Sequence, residues 1–169
     1  MEILVGIGPE IEPEIVPRLA AGKSPMVRKL YVELCDHLRL LEGVKPLQDM
    51  ANDSDYRLRA AVAQALGMIG HDSAAETLSG LLTDREALVR AEAARALGGL
   101  ASWETAEQLH QALDDPDWQV RRNAGVSLSS LGSAGKDLLR AASVSGTAQA
   151  QQTAAHLVEL DRLGLPVIS

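Results

Sequence analysis

An all-α solenoid of about five stacked helix pairs is what this sequence predicts, and three observations carry that expectation. The 169-residue chain is dominated by alanine and leucine, and its aromatics amount to 2% with no Phe. Such a composition suits helices packed closely together, whereas sheets favour β-branched and aromatic side chains. A segment with a fixed arginine recurs every 31 residues, and a period of that length marks a supersecondary unit that must stack on its neighbours to bury its apolar face. Between the copies runs a second pattern, Leu78, Leu81 and Leu82, spaced i, i+3, i+4 as on one face of a helix.

The elements follow in order. Asp53–Arg59–Leu66, Asp84–Arg90–Leu97 and Asp115–Arg121–Leu128 keep one register, and one period back stands Arg28. These are the second helices of the units. The first helices carry Leu47, Met50 and Ala51, then Leu78 and Leu82, then Leu109 and Leu113. An opening copy with Val16, Leu19 and Ala20 also carries Pro13 and Pro17. The turns are Gly22–Pro25, Asn52–Asp55 and Asp114–Asp117. Asp and Ser there are expected to accept hydrogen bonds from the free N–H groups that open the second helices. Gly67, Gly70, Gly98, Gly99 and Gly132 are expected to end second helices. The fifth copy is degraded and about two residues short of register. Its first helix begins at Lys136–Leu139, its second spans 148–163 with Leu157 and Leu160 inward, and Ala150 or Gln151 replaces the arginine. The units fall at approximately 9–40, 41–71, 72–102, 103–133 and 134–165, within a single domain over 1–169.

The string Asp-x-x-x-x-Val-Arg-x-x-Ala-Ala-x-Ala-Leu-Gly, specific at Leu58-Arg59, Val89-Arg90 and Val120-Arg121, resembles HEAT-like repeats of the phycobilisome-lyase type. The resemblance covers nearly the whole chain. It implies a right-handed superhelix with first helices on the convex side and second helices on the concave side. The chain departs from the pattern in copy one, where Gly22 and Ser24 replace turn acids, and in copy five.

Arg28, Arg59, Arg90 and Arg121 track the repeat register itself, so they read as a structural ladder to the turn acids Asp53, Asp84 and Asp115. The groove is expected at positions flanking that ladder on the second helices. Copy one offers Met26, Lys29, Leu30 and Glu33; copy two offers Tyr56, Arg57, Ala60 and Gln64. Copy three offers Leu88, Ala91, Glu92 and Arg95; copy four offers Trp118, Gln119, Arg122, Asn123 and Val126. These vary in type from copy to copy while the core positions do not, as on a tailored binding face. Trp118 is the sharpest candidate, since Trp, Tyr and Arg dominate interface energetics. Trp103 reads as a packing residue.

Chemistry-bearing motifs are missing. Gly22-Lys23-Ser24 lacks the glycine five residues earlier that a phosphate loop needs, and Pro17 stands there. Gly6-x-Gly8 is followed by Ile11, so there is no dinucleotide fingerprint. His37, His71, His110 and His156 share no register and none precedes Glu. Cys35 stands in register with Leu66 and Leu97, a core position, and a single cysteine excludes an internal disulfide. The apolar run Ile3–Ile7 is too short to span a membrane. A net charge of −7 opposes nucleic-acid and anionic-membrane binding.

The expectation is therefore a non-catalytic, cytoplasmic, monomeric scaffold or adaptor that binds another protein in its concave groove. It should need no cofactor and no metal, and make no contact with nucleic acid or membrane. The alternative, implied by the resemblance alone, is a subunit of a bilin lyase-like enzyme. Nucleic-acid binding ranks third.

Overall fold

The computed structural model describes residues 24–100 and 105–165, and these form nine α-helices with no strand among them. The second helices are α1 (Pro25–Leu38), α3 (Tyr56–Ile69), α5 (Ala87–Leu100), α7 (Trp118–Ser130) and α9 (Ala148–Arg162). Between them lie the first helices α2 (Val44–Met50), α4 (Ala75–Leu81), α6 (Ala106–Gln111) and α8 (Gly132–Ser145). The expected first helix of copy one, together with Trp103, lies outside the described residues.

The short first helices are amphipathic in the expected way. Leu47, Leu78 and Leu109 are fully buried, and Leu66, Leu97 and Cys35 fill the matching places on the second helices. One continuous core runs from Tyr31 to Leu157. Second helices pack directly on one another along the series α1, α3, α5 and α7, while the first helices lie mainly against second helices. Units spaced more tightly on one side than on the other must curve towards the tight side, which makes the second-helix face the inner wall.

That tight spacing depends on small residues. A Cβ placed on Gly67 would stand 2.6 Å from Ala96 Cβ. One on Gly98 would collide with Ser127, whose hydroxyl donates to Ala94 O at 2.7 Å. Gly67, Gly98 and Gly99 were expected to end helices but lie inside α3 and α5. For Gly67 and Gly98 the physical reason is close approach of the next helix. Gly70 and Gly132 do mark boundaries, with φ of 70° and 75°.

The turn acids cap as expected. Asp55 Oδ1 accepts from Arg57 N at 2.9 Å, and Asp117 Oδ1 accepts from Gln119 N at 2.8 Å and Val120 N at 3.3 Å. Ser24, before Pro25, makes no side-chain cap. The fifth unit differs most. Only Leu131 separates α7 from α8, which has 14 residues where α2 and α4 have seven. Thr147 caps α9 by accepting from Ala150 N at 3.3 Å.

Candidate functional site

The repeated arginine builds a ladder along the turns. Arg59 donates Nε to Asp84 Oδ2 at 2.6 Å and Nη2 to Asp84 Oδ1 at 2.7 Å, a bidentate fork. Its Nη1 donates to its own turn, at Asp53 O, 2.8 Å away. Arg90 repeats the arrangement on Asp115 at 2.7 and 2.9 Å, with Nη1 on Asp84 O at 2.9 Å. Arg28 Nε lies 3.0 Å from Asp53 Oδ2. Each aspartate also accepts a backbone N–H two residues on: Asp55 N, Glu86 N and Asp117 N. The Arg59 hydrogen bonds hold the Asp84 carboxyl below its ordinary value. Each rung therefore ties one second helix to the next unit's turn. A surface depression of about 340 Å³ opens over the Arg59–Asp84 rung, but these charged groups are already spent on each other.

Arg121 breaks the series. Its Nη1 keeps the turn half, donating to Asp115 O and Pro116 O at 2.8 Å each. Twenty-five residues on, the spacing of the other rungs, stands Gly146 instead of aspartate. Among the described residues nothing accepts from the buried Arg121 Nε. Asp114 holds the junction instead, accepting Thr147 Oγ1 at 2.6 Å and Thr147 N at 3.2 Å. In the last unit Gln151 takes the arginine's place on the turn, donating Nε2 to Gly146 O at 3.0 Å and Val144 O at 3.2 Å.

On the inner wall the candidate residues separate into two groups. Met26, Lys29, Leu30, Glu33, Arg57, Gln64, Leu88, Arg95, Trp118 and Gln119 are exposed, while Tyr56, Glu92, Arg122, Asn123 and Val126 are half-buried. Ala60 and Ala91, expected on the same surface, are buried instead. A methyl group there does not reach past the closely packed neighbouring helices. Several polar members are engaged within the wall. Gln64 Nε2 donates to Asp36 Oδ2 at 3.0 Å, Arg95 forks onto Glu92 at 2.7 and 3.0 Å, and Asn123 Nδ2 donates to Ala91 O at 2.9 Å. Lys29 lies 3.7 Å from Glu33.

Most of the apolar surface that the wall leaves open to solvent forms a row at the first turns of the second helices. Met26 is 81% exposed, Leu88 45% and Trp118 60%. Arg57 lies between Met26 and Leu88 in register, with its guanidinium 5.2 Å from the Tyr56 ring centroid. The sequence pattern placed these side chains but could not show which polar neighbours were already spent. It also missed the Asp114–Thr147 junction, although Thr147 immediately before a helical pattern was a legible cap signal.

Among the described residues no His/Cys/Asp/Glu group could hold a metal ion, and no helix is long and apolar enough to cross a membrane. Cys35 is fully buried, and burial raises its thiol pKa.

Solved structures with this fold include the complex of CpcE and CpcF of phycocyanin lyase from Nostoc sp. PCC7120. That match has 21% identity and a TM-score of 0.68, and covers 92% of this chain and 68% of the other. An engineered protein matches at 24% identity and a TM-score of 0.52, covering 97% of this chain and 78% of the other. Likeness at these identities is likeness of fold. None of the curated proteins matches the sequence. The model of HEAT repeats matches residues 12–97 and 76–159, most of the chain, and with the helix pairs and their shared core it makes this chain a member of the HEAT-repeat family.

Proposed function

We propose that the chain is a non-catalytic scaffold that binds another protein across the first turns of its second helices. The supporting observation is the row Met26, Tyr56–Arg57, Leu88 and Trp118. Met26, Leu88 and Trp118 stay at the surface of a protein whose other large apolar side chains mostly fill its core, and half-buried Tyr56 lies in the same row. Apolar groups aligned in this way, rather than scattered singly, mark interaction sites. That the likeness in fold includes a two-chain complex agrees with this reading.

The test is capture of the native partner by the Leu88→Ser, Trp118→Ala double variant. Both side chains are exposed, so the melting temperature should hold while binding falls by at least about tenfold. Undiminished binding would refute the assignment. The second reading, a bilin lyase-like subunit, draws only on the fold shared with phycocyanin lyase. It requires visible absorbance or fluorescence changes when bilin is added, and their absence would dismiss it.

A further inference from the structure

The partner's chemistry can be narrowed from Arg57. Among the described residues most cations of this chain have an acidic partner: Arg28, Lys29, Lys45, Arg59, Arg85, Arg90, Arg95, Lys136, Arg140 and Arg162. Arg57 has none, in a chain whose formal charge is −7. The nearest acids in sequence are committed elsewhere. Asp53 takes Arg28 and the Asp55 amide, and Asp55 caps α3 through the Arg57 amide. One turn on, Ala60 and Ala61 offer no charge.

The guanidinium instead stacks on Tyr56. A guanidinium lying over a ring keeps its N–H donors available to a planar carboxylate, and Arg57 is exposed. On either side in register stand exposed Met26 and Leu88. Neighbouring helix axes lie about 8–10 Å apart, and a polyproline II chain advances about 3.1 Å per residue with about three residues per turn. A segment in that conformation crossing the row keeps every third side chain on one face and brings each to a successive helix.

We propose that Arg57, held by Tyr56 between Met26 and Leu88, receives the carboxylate of a partner segment patterned apolar-x-x-acid-x-x-apolar. This rests on the reading of the row as the binding face. The probe is a blocked seven-residue peptide with leucine at both ends and glutamate at its centre, titrated while the Met26 and Leu88 methyl resonances are followed. Saturable shifts are expected, and the glutamine peptide should bind at least about tenfold more weakly. Arg57→Glu should abolish binding of the glutamate peptide and restore it for a lysine peptide. Equal binding of glutamate and glutamine peptides, no binding of any peptide, or a charge swap without restoration would each overturn the inference. The binding face itself is judged separately: a native partner lost in the Leu88/Trp118 variant but kept in Arg57→Glu would leave the face standing and remove only the acid.

Discussion

Asp114 and Thr147 are joined by a 2.6 Å hydrogen bond at the one described junction between second helices where no arginine meets a carboxylate. The Arg59–Asp84 and Arg90–Asp115 junctions are held by forks that are nearly out of solvent, whereas this contact is exposed and neutral on one side. Thr147→Ala removes both the bond and the α9 cap, at a cost of about 1–2 kcal/mol. Hydrogen exchange should quicken across α9 and leave α3 and α5 unchanged. A uniform increase over all helices would contradict a local role.

The buried rungs respond more strongly. Arg59 and Asp84 side chains are 7% and 10% exposed, so Arg59→Ala strands a carboxylate and costs about 3–5 kcal/mol in urea unfolding. Lys136→Ala, at a pair exposed by more than a third, should stay within about 1 kcal/mol.

Glycines give a signed prediction. Gly67→Ala gains helix propensity but drives a methyl into Ala96, so it destabilises by about 1–3 kcal/mol. Gly80 in α4 has nothing within 4 Å of the same methyl, so Gly80→Ala stabilises by up to about 1 kcal/mol. Thermal melts of the two variants should move in opposite directions.

The pH dependence has two limbs. Hydrogen bonding to Arg59 lowers the Asp84 carboxyl below its ordinary 3.8. Its stabilisation is therefore complete above that value and is lost as pH falls through the lower folded one. Asp84→Asn should flatten the acid limb of the melting curve. Burial raises the Tyr31 phenol above its ordinary 10.0. Its stabilisation is complete below that value and is lost as pH rises beyond it, so Tyr31→Phe should hold stability into the alkaline range.

Much of the fold was legible because its determinants repeat. Arg59 and Arg90 could be read as structural since chance does not return them every 31 residues, and Leu47, Leu78 and Leu109 since burial fixes their period. Gly67 was misread as a terminator because a glycine needed for close approach and one needed for a turn look alike in sequence. The inner wall was less legible for a related reason. Asn123 and Gln64 vary between copies as binding residues would, yet their amides reach Ala91 O and Asp36. Only the spacing between helices decides which polar groups are consumed by neighbours.

Each rung runs one way, from a second helix to an acid 25 residues later. The chain therefore has a direction that its near-identical units conceal. During synthesis an emerging unit carries a cation whose counter-charge has not yet been made, and it is neutralised only when the next turn leaves the ribosome. Fragments cut between units inherit the same asymmetry: an upstream piece ends on an uncompensated arginine, a downstream piece begins on an uncompensated aspartate. Mixed together, the two broken ends carry the charges needed to find each other again.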